Sequence, residues 1–278
     1  MKIGLALSGG GALGAAHIGI VEELEKNKIG IDSICGTSSG AIIGLLYAYG
    51  GLKTVNHFFD ELDKTGLLNK TSLIFKRNST IFFSVEEILR KCIKASEFYE
   101  LKIKFSCVAT DLKNGNAVIL KLGDPVKAVM ASAAYPGVFP IQKIGTKYLI
   151  DGGLTRNLPS GILKKQGLDF IIGSSLYGLK KFDKFDPDGN IKANPIDIAV
   201  RSLDIMQKEL ANYEVESCDF CFQPEVNDYR WYHFDAINDI RLTGKECAAK
   251  HIGDLLKEIN SHREPQKKGF WKSLLPGK

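Results

Sequence analysis

Apolar runs rich in β-branched residues recur along the chain, and segments with apolar residues at helical spacing lie between several of them. The strand-like runs are KIGLALSG, IDSICGTS, KFSCVATDL, NAVILKL, KYLIDGG, DFIIGSSL and CDFCFQPEV. The helical patterns cover residues 12–28, 39–49, 125–134, 195–213 and 244–259. Continuous apolar strands that alternate with helices are typical of parallel sheets covered on both faces. The pattern therefore predicts an α/β fold with a mainly parallel central sheet sandwiched by helices.

One stretch interrupts this alternation. Residues 66–83, GLLNKTSLIFKRNSTIFF, are apolar and basic without a clean period. They fit either a lid or interfacial loop, or an ordinary packed excursion of the chain. Ser84 and Glu87 then stand at the spacing of a capping box, which predicts that the next helix begins there.

The size and charge of the chain suggest one domain and a tail. A chain of 278 residues that is 44% hydrophobic can bury the core of a single large domain, which we place at residues 1–260. Residues 262–278 contain five Lys/Arg and one Glu, so this basic tail (residues 261–278), which we expect to be flexible, carries most of the net charge of +5. The nearly neutral body argues against nucleic acid as a partner. Lysines mixed with Phe270 and Trp271 suit peripheral contact with an anionic membrane, and solvated disorder is the alternative.

The sequence also bears on where in the cell the protein is expected to be. The N-terminal apolar run is too short for a signal peptide, and no run reaches the roughly 18 apolar residues of a membrane span. The six cysteines are scattered through a core-forming chain, which favours reduced thiols and a cytoplasmic protein. Cys218 and Cys221 form C-x-x-C without a second pair at zinc-site spacing, so we interpret them as buried strand residues.

The first strand leads into a cluster of glycines that permits two interpretations. Gly9, Gly11 and Gly14 satisfy G-x-G-x-x-G, the dinucleotide-binding fingerprint. That interpretation requires an acidic residue at the end of the second strand, whereas Asp32 stands at its beginning. No Gly-Lys-Ser/Thr follows the glycines, which excludes a P-loop.

The second strand ends instead in a G-x-S-x-G sequence formed by Gly36, Ser38 and Gly40. In a strand-turn-helix context, the two glycines allow a tight turn that projects the serine hydroxyl. If Ser38 attacks a carbonyl, the backbone amides of residues 9–11, at the end of the neighbouring strand, are suitable donors to the oxyanion. A Ser/Gly turn that merely begins a helix is the structural alternative.

A serine nucleophile needs a base, and Asp151 is the stronger candidate. It ends an apolar strand and precedes Gly152 and Gly153, a setting in which the backbone can approach a ligand closely. A Ser-Asp-His triad would require His233 or His251, and neither lies in a glycine-rich or turn setting that marks a site. An aspartate that only caps a turn is a further alternative.

Together, GGGALG, GTSSG, ASAAYPGVFP and DGGLTRNLP resemble the patatin-like phospholipase family over roughly residues 1–210. The resemblance implies an α/β fold related to patatin, a Ser-Asp dyad, and hydrolysis of acyl esters in lipids without a metal or other cofactor. Ser38 would then be the nucleophile and Asp151 the base. The amides of Gly9, Gly10 and Gly11 would form the oxyanion hole, with Gly14, Gly36, Gly40, Gly152 and Gly153 as motif positions. Leu13 stands where many bacterial relatives have Arg, which puts any anion-anchoring role of that side chain in doubt.

The leading hypothesis is a serine acyl hydrolase that acts on phospholipids, lysophospholipids or related lipid esters. An acyltransferase that uses the same acyl-enzyme is a close alternative, in which an alcohol replaces water. The alternatives from other classes are a nucleotide-binding protein that uses the loop at residues 9–14 and a catalytically silent lipid-binding module.

Overall fold

The computed structural model describes residues 1–66, 78–176, 192–193 and 195–263, which build one sheet with helices on both faces. The strands are β1 (Ile3–Leu7), β2 (Ser33–Thr37), β3 (Lys104–Asp111), β4 (Ala117–Leu120), β5 (Gln142–Ile144), β6 (Lys147–Asp151), β7 (Phe170–Ser174) and β8 (Phe220–Phe222). The helices are α1 (Ala15–Lys26), α2 (Ser39–Lys64), α3 (Asn78–Cys92), α4 (Pro125–Ser132), α5 (Ser160–Lys165), α6 (Pro195–Val215) and α7 (Ile237–Arg263).

The sheet has a parallel part and an antiparallel part. Its order is β5-β6-β3-β2-β1-β7-β8, and β4 pairs with β3 outside this path. The strands β3, β2, β1, β7 and β8 pair in parallel, which confirms the predicted fold class. The strands β4, β5 and β6 join antiparallel at the β3 end of the sheet. The antiparallel part was not anticipated from the sequence pattern.

Burial on both faces explains why the central strands read as continuous apolar runs. Every residue of β1, β2 and β7 is buried. Leu5 and Leu7 pack into the main core together with side chains from α1, α2, α4 and α7. Ala6 packs on the opposite face, in a smaller cluster with Leu158 and Leu163 next to α5. The alternation of the strand side chains therefore divides the core between two helical layers.

Several element boundaries differ from the sequence prediction. Helix α2 continues past the predicted end at residue 49. Gly50 and Gly51 have non-helical backbone angles and form a kink, and the chain is helical again from there to Lys64. Helix α3 includes Asn78, so the prediction that it begins at the Ser84 capping box is wrong. Helix α7 extends the predicted residues 244–259 at both ends and crosses the predicted domain boundary at residue 260. Within the described ranges, no helix has the length and hydropathy required to cross a bilayer.

Helices α1 and α7 approach each other through two glycines. A Cβ atom on Gly244 would lie 2.0 Å from the backbone oxygen of Ala16, and one on Gly19 would lie 2.2 Å from that of Arg241. These distances are far shorter than van der Waals contact, so the helices can pack this closely only with glycine at both crossing points.

We expect Gly244→Ala to lower the free energy of unfolding by about 1–3 kcal/mol, because the new methyl group must push α7 away from α1. Gly253→Ala is the matched control in the same helix, because no atom lies within 4 Å of its Cβ position. That change replaces glycine by a better helix former and should be neutral or stabilising. Urea denaturation of both variants measures the difference, and equal stabilities would contradict the close packing.

Candidate active site

Ser38 occupies the turn between β2 and α2. Its backbone has φ 53° and ψ −121°, a conformation that a non-glycine residue adopts at a cost of about 1–3 kcal/mol. The Ser38 carbonyl accepts the N–H groups of Ala41 (2.9 Å) and Ile42 (3.1 Å), so the strained residue directly begins the helix. This strand-turn-helix geometry matches the turn that the G-x-S-x-G spacing predicts.

The two glycines of this motif allow the backbone to pack closely around Ser38. A Cβ atom on Gly36 would lie 2.4 Å from the carbonyl oxygen of Gly40. One on Gly40 would lie 2.4 Å from the carbonyl oxygens of Leu7 and Ser8, at the end of β1. Any larger residue at either position would therefore force the start of α2 away from the sheet.

The register of the antiparallel part brings Asp151 to the level of this turn. Thr37, the last residue of β2, pairs with Val108 of β3. Asp151, the last residue of β6, pairs with the next β3 residue, Ala109, from the opposite direction. The ends of β2 and β6 therefore meet at successive positions of β3. Gly152 lies at this junction, where a Cβ atom would be 2.1 Å from the Val108 oxygen.

The Asp151 carboxyl group is almost completely buried, with 1% of the residue exposed. Its Oδ1 accepts the N–H of Gly153 at 2.7 Å, and its Oδ2 has no hydrogen-bond partner among the described residues. Burial raises the pKa of Asp151 to about 6, and the nearby Ser38 hydroxyl and Gly153 amide partly offset that rise. A carboxylate with this pKa is a stronger base than an exposed aspartate and is still mostly ionised at neutral pH.

The glycine loop between β1 and α1 lies next to Ser38. The Gly9 N–H donates to Asn157, to the side-chain Oδ1 at 2.9 Å and to the backbone oxygen at 3.2 Å. The N–H groups of Gly10 and Gly11, in contrast, donate to no other described residue. These two amides stand at the beginning of the helical turn that leads into α1, where the helix dipole favours negative charge. Of the three amides predicted to donate to the oxyanion, that of Gly9 is therefore already used in a hydrogen bond that holds the loop in place.

The same loop is closely packed against protein groups. A Cβ atom on Gly11, which has φ 59°, would lie 2.3 Å from the Trp231 oxygen, and one on Gly14 would lie 2.7 Å from the Ser39 side chain. Leu13 is buried in an apolar cluster with Leu176 and Ile240.

Asp32 is at the start of β2, where its carboxylate accepts the Ile3 N–H at 2.7 Å. This placement does not favour the nucleotide-binding alternative, which needs an acid at the other end of β2.

The segment that carries Asn157 is held by a buried carboxylate on α6. Glu214 Oε2 accepts the Leu158 N–H at 2.8 Å, and its Oε1 lies 3.5 Å from the Arg156 guanidinium. Burial raises the pKa of Glu214 to about 7, against the opposing effects of Leu158 and Arg156. The Thr37 hydroxyl donates to the Arg156 carbonyl at 2.8 Å. The segment thus contacts both the glycine loop and the residue that precedes Ser38.

A cavity of about 140 Å³ opens onto Ser38, Asp151 and the glycine loop. Most of its wall is apolar and comes from helices α2, α3 and α4 and the residues that follow α4. The apolar side chains that these elements contribute are Ile42, Leu62, Ile81, Phe82, Val85, Met130, Ala133 and Phe139, and Phe234 also lines the cavity. A pocket with this lining and a few polar groups at one place is typical of a site for a largely apolar ligand.

The remaining wall is aromatic and polar. Tyr135 stacks on Trp231 with ring centroids 5.6 Å apart, and Asp204 and Gln207 of α6 line the cavity beside them. Burial raises the pKa of Asp204 to about 6, although Arg201 and Arg230 oppose the rise. The cavity therefore contains a second carboxyl group besides Asp151.

None of the five histidines belongs to the described residues that line the cavity. His17 is fully buried between Ser174 Oγ (2.7 Å) and the Ser8 carbonyl (2.9 Å), and burial lowers its pKa to about 4. It therefore ties the ends of β1 and β7 together as a neutral ring. His233 lies beside the cavity residues Trp231 and Phe234 in sequence, and His251 lies on α7.

Several residues of the site were not identified from the sequence. Asn157 and Tyr135 stand inside the segments DGGLTRNLP and ASAAYPGVFP, which marked them only as members of a motif. Asp204, Gln207 and Trp231 belong to regions without any motif, so no local signal points to them.

Cys218 and Cys221 are half-buried free thiols, and only Cys221 lies within β8, which corrects the expectation that both are buried strand residues.

Sequence comparison relates the chain to known proteins. A family model described as patatin-like phospholipase matches residues 5–164, more than half of the chain. An NTE family protein of Mycobacterium tuberculosis is 31% identical over 204 residues, which cover 72% of this chain and 56% of that protein. Lysophospholipase NTE1 of the yeast Debaryomyces hansenii is 32% identical over 180 residues, which cover 62% of this chain and 11% of that protein. The chain thus spans about half of the mycobacterial relative and a small part of the yeast one.

Structural comparison agrees on the fold. The crystal structure of VipD from Legionella pneumophila superposes with a TM-score of 0.50, covering 90% of this chain and 67% of that chain. The sequence identity is 14%, so the likeness concerns the fold alone.

Proposed function

The chain belongs to the patatin-like phospholipase family, and we propose that it is a serine acyl hydrolase that cleaves fatty-acyl esters of phospholipids, lysophospholipids or related lipids through a Ser38–Asp151 dyad. The observation that carries the proposal is the meeting of the strained Ser38 turn with the buried Asp151 carboxyl at one cavity with a mainly apolar wall.

In the proposed acylation step, Ser38 Oγ attacks the ester carbonyl carbon while Asp151 accepts the hydroxyl proton. The carbonyl oxygen becomes an oxyanion, which the N–H groups of Gly10 and Gly11 stabilise. The Gly9 amide holds the loop in place through Asn157. The tetrahedral intermediate then collapses, the bond to the alcohol oxygen breaks, and the proton on Asp151 passes to the departing alcohol.

Deacylation uses the same groups in reverse. Asp151, ionised again, takes a proton from water as the water oxygen attacks the acyl-serine carbonyl. The second intermediate releases the fatty acid and returns the proton to Ser38. An alcohol that enters in place of water would make an ester instead, which is the acyltransferase alternative.

The substrate class rests on the cavity and on one relative. The apolar side chains of the wall provide an environment suited to an acyl chain. The yeast relative is named a lysophospholipase, which favours a lipid with a single acyl chain as the first substrate to examine.

The experiment that tests the proposal measures free fatty acid after incubation with a lysophospholipid, a diacyl phospholipid and a short-chain p-nitrophenyl ester. We expect turnover of at least one lipid. Added glycerol should leave fatty acid as the main product, whereas predominant transfer to glycerol would favour the acyltransferase. Binding of lipid without turnover of any ester would contradict the proposal and favour a silent binding module.

The pKa of Asp151 predicts the pH dependence of hydrolysis. Because the base must be ionised, kcat/KM should be constant at alkaline pH and fall about tenfold per pH unit below an apparent pKa near 6. Initial rates with the p-nitrophenyl ester between pH 4.5 and 8.5 measure this profile. A rate that rises as the pH falls would contradict the assignment of Asp151 as the base.

Two other buried carboxyl groups titrate in the same region, Asp204 at about 6 and Glu214 at about 7. The variants Asp204→Asn and Glu214→Gln therefore serve as controls. If the acid limb of the profile persists in both variants, Asp151 accounts for it. If it disappears in one of them, that residue controls the profile.

Four further expectations stay predictions: the membrane contact, the lid, the domain boundary and the cellular location. The proposed peripheral membrane contact involves residues 66–83 or the basic tail, and of these, residues 67–77 and 264–278 lie outside the described residues. The described part of the suggested lid comprises residue 66 and the start of α3, whose Ile81 and Phe82 line the cavity. The division at residue 260 and the cytoplasmic location are predictions as well.

A further inference from the structure

The short segment that follows α4 is hydrogen-bonded to the backbone of both dyad residues. The Ser38 N–H donates to Ser132 Oγ at 2.9 Å. Two residues later, the Ala134 carbonyl accepts the Asp151 N–H at 3.0 Å. Residues 132–134 therefore connect the backbone of the nucleophile with that of the base.

The Ser132 hydroxyl has a fixed orientation. It donates to the Val108 carbonyl at 2.5 Å, and Ser132 is completely buried. Because its one proton is used in this bond, its lone pairs face the Ser38 N–H. Val108 is the β3 residue that pairs with Thr37, so the hydroxyl links the end of β2 to the neighbouring strand.

The bond satisfies a group that the turn leaves without a partner in the helix or sheet. Ser38 has a positive φ; its carbonyl accepts the N–H groups at the start of α2, whereas its own N–H donates to Ser132 and to no backbone carbonyl of the described residues. A strained backbone of this kind persists only where its surroundings determine it. Ser132 is the side chain whose hydrogen bond to the Ser38 amide meets that condition.

We propose that Ser132 is a positioning residue of the reaction: its hydroxyl holds the Ser38 backbone in the conformation that presents Oγ to Asp151, while Ala134 fixes the Asp151 backbone. This inference rests on the proposed hydrolase function. It gives a physical reason for the serine in ASAAYPGVFP, a segment whose other polar side chain, Tyr135, lines the cavity.

The test compares Ser132→Ala with Ser160→Ala. Ser160 is a matched control because it is also completely buried and its hydroxyl also donates to a backbone carbonyl at 2.5 Å, that of Glu214. Both changes remove one buried hydroxyl and should lower the melting temperature by similar amounts. They differ in that only Ser132 contacts the nucleophile turn.

We expect Ser132→Ala to lower kcat by about 10- to 100-fold with KM within about twofold of the wild type, because a misplaced nucleophile affects the chemical step. The rate at which a fluorophosphonate labels Ser38 should fall in parallel. Ser132→Thr, which keeps the hydroxyl, should recover most of the labelling rate. Ser160→Ala should remain within about twofold of the wild type in both measurements.

The outcomes separate this inference from the proposed function. Normal kcat and labelling in folded Ser132→Ala, beside an active wild type, would overturn the role of Ser132 alone. Equal losses in Ser132→Ala and Ser160→Ala would also overturn it, since the effect would then follow from a buried hydroxyl in general. A folded wild type that neither hydrolyses esters nor reacts with the fluorophosphonate would overturn the hydrolase function, and the role of Ser132 with it.

Discussion

Replacement of Ser38 by alanine is expected to abolish ester hydrolysis, with kcat lowered by more than about 10³-fold, because no other group would form the acyl-enzyme. Alanine keeps the Cβ atom of serine, so the strain at φ 53° is unchanged and the turn should fold as before. Fatty-acid release from the lipid substrate measures the effect. Circular dichroism and the melting temperature establish that the variant is folded.

The control for this variant is the double substitution His233→Ala/His251→Ala. Neither histidine is among the described residues that line the cavity, so this protein should keep most of the wild-type rate. Loss of activity in the folded double variant would favour a triad. A wild-type rate in Ser38→Ala would show that another group carries the reaction.

Replacement of Asp151 by asparagine should lower kcat by about 10³- to 10⁴-fold, since an amide cannot accept the Ser38 proton. The change is nearly isosteric, and the amide oxygen can still accept the Gly153 N–H that now donates to Oδ1 at 2.7 Å. The fluorophosphonate labelling of Ser38 should slow as well, because the hydroxyl loses its base. Activity close to that of the wild type would contradict the dyad.

The same variant should be more stable than the wild type at pH 8. The pKa of Asp151 is near 6 in the folded protein and near 3.8 in an unfolded chain, so the folded state binds more protons between these values. Stability is therefore lost as the pH rises through this range, by about 3 kcal/mol or less, and an uncharged amide avoids that loss. Urea denaturation at pH 5 and pH 8 measures it. Reduced stability of Asp151→Asn at pH 8 would show that the carboxylate is better solvated than its burial indicates.

Lost activity together with gained stability in Asp151→Asn would indicate that the site exchanges stability for activity. Two features of the site destabilise the folded state: the buried Asp151 carboxylate, whose Oδ2 accepts no hydrogen bond from a described residue, and the positive φ of Ser38. Both are placed where the proposed chemistry needs a base and an exposed nucleophile, which is the expected exchange of stability for activity.

The motif residues show which features of the site can be predicted from short stretches of sequence. The glycines around Ser38 predict a tight strand-turn-helix, and the turn forms because Gly36 and Gly40 allow backbone contacts that a Cβ would block. The position of Asp32 at the start of β2, rather than at its end, argues against a dinucleotide site from the sequence alone. The alternation of apolar runs and helical patterns predicts the parallel part of the sheet, because strands that are buried on both faces consist almost entirely of apolar residues.

The antiparallel part is the main feature that the pattern did not reveal. From the sequence, we expected Ser38 and the amides of residues 9–11 at the ends of neighbouring strands, and the parallel pairing of β1 with β2 places them so. Asp151 reaches the same place on a strand that runs the other way, and the register of β6 against β3 sets its position. Register depends on pairing between residues about 40 positions apart, and a short strand carries little local information about it.

The sequence by itself therefore determined the fold class, the family and the three glycine-rich segments, because each depends on backbone conformations or burial patterns that neighbouring residues encode. Only the tertiary structure decided which amide of the glycine loop donates to another described residue, that Asn157 holds Gly9, and that Ser132 holds Ser38. It also decided that Trp231 and residues of α6 line the cavity. These contacts join residues up to about 220 positions apart, and their geometry follows from how the elements pack rather than from any local preference.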